Sequence, residues 1–516
     1  MKRLLLALAV PVLLVILPLA LRPSADWSPA APERLVVITP NSEQIKYEFE
    51  QAFRKWYKEH RGRDIMFDWR SPGGTSDIVR YINDRFEAEF RLYALQHGLE
   101  WNRETAAAFK DPKLKAEDHP ARELLLESDI GIGIDLFFGG GTYDQSRFAS
   151  IGYAVDAGVK ERHPDRFTND VIPSNFAGEQ IYDPQGRYYG YCLSSFGIAY
   201  NFRRIRELGI EPPANWIDLT DPAYFGTLVL ADPTKSGSIT KCYEMILQQA
   251  MTELGPEQGW AEGFRRVKLL TANARSIADS AGKVVRDVSS GEAAAGICID
   301  FYGFSEADWT RLTAGEPSMT YIMPRGGTAV TADPVQLLRG APNPEAAKDF
   351  IDFLLSEEGA AIWLQKPGTP GGPVRYAQLR PTVRKDSPQK IPSGLQSIPE
   401  YRPYDLGGTF EYRSDWTGRY FSLIRVLVKC IALDPEDDLR AAWKAILDNG
   451  GPEANPEAMT ELLSIPVPYE NAADGAKALS GTPAEAAAAR TDWSEAARRS
   501  YRRAAELARG KKGAAK

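Results

Sequence analysis

An apolar run, Leu35–Ile38, ends in a small polar loop, Thr39–Ser42, and apolar residues then recur at Ile45, Phe49, Phe53 and Trp56. A short continuous apolar run bounded by turn residues reads as a buried strand, and recurrence every three to four residues reads as one face of a helix. The pattern repeats at once: Ile65–Trp69, a second loop over Ser71–Ser76, then the start of a second helix. Two strand–loop–helix units in succession predict a parallel sheet of an α/β fold. Such sheets bind ligands at the C-terminal edge of their strands.

Further along, Asn83–Glu127 is polar and aromatic, with helical periodicity interrupted by Pro112 and Pro120, and predicts a peripheral helical insertion. Asp129–Phe138 predicts a third buried strand running into Gly139–Thr142. Tyr188–Asn201 reads as two strand-like runs broken by Ser194 and Ser195, apolar enough to link two lobes. Trp216–Leu219 predicts a short helix, and Thr227–Leu230 a strand that delivers Ser236, Gly237 and Ser238 to a helix beginning near Ile239. Ala293–Ile299 is another buried strand, ending at Asp300, Phe301 and Tyr302. Tyr321–Met323 and Thr328–Leu337 resemble returning strands, and Pro344–Leu364 reads as one long helix. From about Ser387 the chain turns proline-rich, then helical at Tyr420–Ile431 and Leu439–Leu447. Beyond Pro452 the composition shifts to Ala, Glu and Pro, and Ala484–Leu507 predicts a surface helix or partly disordered extension.

Charge narrows the possible partners. The 62 basic and 69 acidic residues give a net charge of −7 over 516 residues, with no basic stripe of the kind nucleic acid requires. Lys2 and Arg3 precede Leu4–Leu21, which carries no polar or charged residue, so residues 1–32 read as a signal peptide or N-terminal anchor. The chain is therefore expected to be exported and to work in the periplasm or another extracytoplasmic space. Cys192, Cys242, Cys298 and Cys430 could form up to two disulfides, but Cys192 and Cys298 fall in apolar runs that suit buried free thiols. No pair has the CxxC spacing of a zinc site. His60, His97, His119 and His163 are scattered, and no P-loop, nucleophile elbow or dinucleotide fingerprint occurs. The sequence thus calls for no catalytic residue, no cofactor and no enzymatic activity.

The candidate chemistry lies in the loops. Asn41 and Ser42, then Gly74, Thr75 and Ser76, then Gly141 and Thr142, then Ser236, Gly237 and Ser238 all fall between a strand end and a helix start. Free backbone N–H groups and the helix dipole favour an anion there, glycine permits close approach, and hydroxyls add donors. Helix capping alone explains any one of these loops; four of them in one sheet system point to a ligand. Ser194 and Ser195 between the lobes, and Asp300 and Tyr302 after a buried strand, are further ligand-binding candidates; Asp279, Ser280 and Arg70 are weaker ones.

Taken in order, several of these segments resemble the class II periplasmic solute-binding proteins of ABC transporters. The resemblance is closest to the ferric-iron/phosphonate-type branch of the family 1 extracellular solute-binding proteins. It is carried by Leu35–Ile38, Gly73-Gly74-Thr75, Asp135–Gly141, Tyr188–Asn201, Ala231-Asp232-Pro233 with Ser236-Gly237-Ser238, and Asn343-Pro344-Glu345 before the long helix. It implies two α/β lobes joined by a hinge: residues 33–193 and 325–386 in lobe 1, with the insertion at 83–127, and 194–324 in lobe 2. Residues 387–450 would pack on the lobes as a helical segment and 451–516 would form the tail. It further implies a monomer that captures a small oxygen-rich anionic solute and delivers it to an ABC permease. Iron-binding members hold Fe(III) with adjacent tyrosines and a first-loop histidine; here those positions read Phe301-Tyr302 and Pro40-Asn41-Ser42. A hard ferric ion wants several oxyanion ligands, so an iron binder using Tyr302 is the alternative rather than the expectation. An exported enzyme or a membrane-tethered sensor on the same scaffold are the alternatives of a different class.

Overall fold

The computed structural model describes residues 33–406 and 409–514; the expected signal or anchor lies outside them. Twelve strands occur among the described residues, numbered in chain order: β1 (Glu33–Ile38), β2 (Ile65–Arg70), β3 (Leu136–Phe138), β4 (Ala154–Val155), β5 (Asn175–Phe176), β6 (Glu179–Gln180), β7 (Tyr189–Asn201), β8 (Leu228–Ala231), β9 (Ala274–Ala278), β10 (Ala295–Ile299), β11 (Met319–Ile322) and β12 (Val330–Leu338). The main sheet runs β2-β1-β3-β12-β7-β10-β8-β9, with β4 beside β12 and β11 beside β7. β1 pairs in parallel with β2 and β3, and β8 pairs in parallel with β9 and β10. Two parallel groups thus flank the antiparallel β7 and β12.

The alternation of β1 shows how the first group is covered. Leu35 and Val37 pack with Ile45, Phe49 and Phe53 of the helix Glu43–Arg61 on one face. Val36 and Ile38 pack with Ile78, Ile82, Phe86 and Phe90 of the helix Thr75–Gln96 on the other. Successive strand residues point to opposite faces, so a strand covered on both sides reads as an unbroken apolar run. The expected insertion at 83–127 is not peripheral. Phe86 and Phe90 continue the second helix, and Phe109, Ala121 and Leu125 close the same core from beneath.

β7 joins the two groups. Tyr189–Ser195 pair with β12, and Phe196–Tyr200 pair with β10, so one continuous strand passes from the first lobe to the second. The sequence reading broke this strand at Ser194 and Ser195. Both serines are fully buried, yet each is hydrogen-bonded, which removes the cost that would otherwise interrupt a buried strand. The reading Asp129–Phe138 shortens to β3 alone. The single helix over 344–364 is two, Pro344–Leu354 and Glu357–Leu364, because Ser356 caps a fresh helix by accepting from Gly359 N.

The second lobe carries a thick helical layer. Trp260, Phe264, Val267 and Leu270 share one core with Leu439, Trp443, Ile446 and Tyr501. The helix Pro483–Ala514 buries Ala497, Tyr501, Ala504 and Ala508 against this core and leaves its other face exposed where its side chains are described, as the surface-helix alternative expects. Lys268 Nζ is buried beneath this layer, donating to the Leu462 and Ser464 carbonyls and lying 4.8 Å from the Tyr501 ring centroid. All four cysteines are buried free thiols. Among the described residues no helix is long and apolar enough to cross a membrane.

Candidate functional site

Between the lobes lies a cavity of about 760 Å³. Six helices begin at its wall, and their N-cap residues all line it: Ser42, Gly74 and Gly141 from the first lobe, Ser236, Ser280 and Ile299 from the second. Each helix start leaves backbone N–H groups without an intrahelical acceptor and carries the positive end of the helix dipole. The caps differ in what they leave free. Ser42 Oγ accepts from Ile45 N at 3.5 Å, and Ser236 Oγ accepts from Ile239 N at 3.4 Å. Gly74 and Gly141 have no side chain to offer, and Ser280 makes no side-chain cap. The lobes meet here, since a Cβ built on Gly74 would stand 3.3 Å from the Lys235 carbonyl oxygen.

Other lining side chains are held in place by bonds of their own. Asn41 Nδ2 donates to the Tyr191 hydroxyl at 3.2 Å and lies 3.4 Å from the Phe138 carbonyl. Thr142 Oγ1 donates to the Ala332 carbonyl at 3.0 Å, and the Ser236 and Ser238 hydroxyls are 3.0 Å apart. Gly139 and Gly140 both adopt the left-handed backbone, with φ of 97° and 87°. A side chain at Gly139 would meet the Asn41 amide at 2.9 Å, which is why this turn needs glycine. Lys235 lines the wall and forms no ion pair among the described residues.

The cavity therefore gathers Asn41, Ser42, Gly74, Thr75, Gly141, Thr142, Ser236, Gly237, Ser238 and Tyr302 from the sequence candidates, with Asp279 and Ser280. It does not gather Ser76, Ser194, Ser195 or Asp300. Asp300 is 1% exposed and turns inward, accepting from Ser195 N at 2.8 Å, Tyr401 Oη at 2.8 Å and Phe301 N at 2.7 Å. Burial, only partly offset by Arg380, pushes its carboxyl up to about 6. Ser195 Oγ bonds Tyr401 at 2.6 Å and Tyr321 at 2.9 Å, so this group ties the lobe crossover together rather than facing a ligand. Arg70 pairs with Asp68 at 3.3 Å. Tyr302 reaches the wall, but burial holds its phenol above the usual range.

Sequence reasoning missed the rest of the wall. Arg380 is buried, pairs with Asp333 at 2.6 Å, and also donates to the Ser194 hydroxyl. Burial works against its charge, but Asp333 and neighbouring groups hold it protonated. Lys241 is held between Glu179 at 2.7 Å and Glu244 at 3.0 Å, with its Nζ 3.6 Å from the centroid of the Tyr412 ring. Burial again opposes the charge, and the two carboxylates raise the ammonium well above its ordinary range. Asp144 lines the cavity with no hydrogen bond or ion pair to its carboxylate among the described residues, and burial pushes it up to about 6 despite Arg425 and Arg147. Among the described residues no group of three or more His, Cys, Asp or Glu is placed to hold a metal ion.

Comparison with known proteins adds to this geometry. A family model described as bacterial extracellular solute-binding protein matches residues 129–393. An uncharacterized protein of Haemophilus influenzae is 29% identical over 238 residues, 45% of this chain and 61% of that one. The phosphoglycerate transport regulatory protein PgtC of Salmonella typhimurium is 28% identical over 172 residues, 33% of this chain and 39% of that one. The chain thus matches less than two thirds of the length of either relative. The solved periplasmic binding protein AfuA from Actinobacillus pleuropneumoniae, with exogenous fructose-6-phosphate bound, has 19% identity and a TM-score of 0.47, covering 80% of this chain and 97% of that one.

Proposed function

The chain belongs to the bacterial extracellular solute-binding proteins, and we propose that it is the extracytoplasmic substrate-binding component of an ABC importer for a small, oxygen-rich organic anion. The convergence of six helix N-termini on one interlobe cavity carries this reading. An anion placed there accepts hydrogen bonds from first-turn amides and meets the unpaired Lys235. Hydroxyls on the same molecule find acceptors in Asp144 and Asp279. A phosphorylated or phosphonate compound bearing hydroxyls satisfies both sets, and the phosphoglycerate relative points the same way. The ligand stabilises the closed arrangement of the lobes, and the closed monomer presents it to a membrane permease.

The direct experiment is a thermal-shift screen followed by calorimetry with 3-phosphoglycerate, a hexose phosphate, an alkyl phosphonate, cadaverine and Fe(III). A phosphorylated acid at a hundred times its Kd should stabilise the protein by about 2.7 kcal/mol. Replacing Ser236→Ala together with Ser238→Ala should weaken that ligand about tenfold, the cost of a hydrogen bond to a charged group. A response to Fe(III) alone, with a visible phenolate charge-transfer band, would reverse the assignment in favour of an iron binder using Tyr302.

A further inference from the structure

We propose that residues 410–421, which lie outside the matched family region, form a latch that clasps the second lobe onto the 175–180 hairpin of the first and closes the cavity on that side. The segment is anchored on the helix Gly237–Leu254. Gln248 receives Arg413 N at 3.0 Å and donates to the Arg413 carbonyl at 2.7 Å, and Thr417 Oγ1 donates to Glu244 at 2.5 Å. From that anchor it crosses to the other lobe. Tyr412 N donates to the Ala177 carbonyl at 2.8 Å, while Tyr412 Oη donates to Glu244 at 2.8 Å. Beneath the Tyr412 ring, Lys241 of the second lobe pairs with Glu179 of the hairpin at 2.7 Å. Phe421 adds a ring contact to Tyr143 at the start of the helix Thr142–Ile151, with centroids 5.1 Å apart.

The hairpin tip is shaped to receive this contact. Ala177 and Gly178 have φ of 48° and 83°. A left-handed alanine is uncommon, and here its carbonyl is the one that takes the Tyr412 amide. Gly178 has no room for a side chain, because a Cβ there would stand 2.0 Å from the Tyr412 carbonyl oxygen. Separation of the lobes must break the Tyr412–Ala177 bond, the Lys241–Glu179 pair and the Phe421–Tyr143 contact together. The latch therefore sets how far the empty protein opens and bounds the size of solute that fits.

The test needs no ligand, so it fails or succeeds apart from the transport assignment. Because the native cysteines are buried, spin labels can be placed on the exposed sites Lys55→Cys and Thr313→Cys of the two lobes. Pulsed dipolar spectroscopy of the ligand-free protein should give one narrow distance, and adding Gly178→Ala should introduce a second, longer one. If that variant does not fold, Tyr412→Phe with Glu179→Gln, which keeps the ring and the side-chain volume, should produce the same second distance. A broad two-state distribution in the unaltered protein, or an unchanged distribution in a folded latch variant, overturns the proposal.

Discussion

Two walls of the cavity are built by different means. One consists of helix starts: Gly74, Gly141, Ser236 and Ser280 present backbone amides and small hydroxyls, and their packing demands are light. A Cβ at Gly141 or Gly237 would meet nothing within 4 Å. The other consists of Glu179, Lys241 and Tyr412, with Glu244 buried behind them, and in it buried charges satisfy one another. The contrast teaches that one wall is free to answer a ligand while the other is occupied in holding the lobes together. Substitutions should separate the two, with stability responding at the second wall and affinity at the first.

The largest effect should come from Lys241→Met. It strands Glu179 and Glu244, 7% and 0% exposed, without their shared counter-charge. Removing one partner of a buried ion pair costs about 3–5 kcal/mol, which denaturant unfolding would register as a large loss of midpoint. A change below about 1 kcal/mol would mean that the cluster is not the structural wall described. Next in size is Gly178→Ala. Its left-handed backbone and the 2.0 Å approach of the Tyr412 carbonyl should cost about 1–3 kcal/mol by calorimetric melting. An equal cost from Gly209→Ala, also left-handed but open to space, would show backbone strain alone at work and remove the latch from the explanation.

The same contrast explains what could be read from the chain. The loop wall was legible because each loop is local: a strand ends, glycine or serine follows, and a helix begins within a few residues. The parallel units at Leu35–Ile38 and Ile65–Trp69 were legible for the same reason. The second wall was not, because Glu179, Lys241 and Tyr412 are far apart in sequence and each reads alone as an ordinary surface residue. Arg380 was missed likewise, since nothing local in Leu379-Arg380-Pro381 announces a buried guanidinium facing Asp333. Ser194, Ser195 and Asp300 were misread in the opposite direction. Polar residues in apolar runs suggested ligand contacts, whereas Ser195 N donates to Asp300, Arg380 to the Ser194 hydroxyl and Tyr401 to Asp300, all within the lobe crossover.

Acidity offers a smaller and more selective probe. Asp144 in the cavity and Asp300 outside it are both pushed up to about 6 by burial, above the unfolded carboxylate value of about 3.9. The folded state therefore binds protons more tightly than the unfolded state between those two values. This contribution to stability is fully present below about pH 4 and is lost as pH rises through 6. In thermal melts, Asp144→Asn should gain on the unaltered protein between pH 4 and pH 7. Of the two, only Asp144 lines the cavity, so its ionisation should also oppose an anion bound there. Measured against Asp144→Asn, so that the phosphate's own protonation near pH 6 cancels, the affinity of the unaltered protein for 3-phosphoglycerate should rise severalfold from pH 7.5 to pH 5.5. An identical pH profile in the two proteins would assign the proton to the ligand or to another group.

The smallest effect on stability should accompany Gly141→Ala. With φ of −99° and open space around the new methyl, alanine fits the backbone. The melting temperature should hold steady or rise slightly, because alanine loses less conformational freedom on folding than glycine does. The methyl nevertheless projects from a residue on the cavity wall, beside amides that an anion would approach. Calorimetry with 3-phosphoglycerate should show about a tenfold loss of affinity, the cost of displacing one charge-assisted hydrogen bond. Unchanged stability with weakened binding is the opposite signature to Lys241→Met, and the pair together test whether the two walls have the separate roles their chemistry assigns. If Gly141→Ala binds as tightly as the unaltered protein, the anion does not rest on this helix start, and the site must shift toward Ser236 and Lys235.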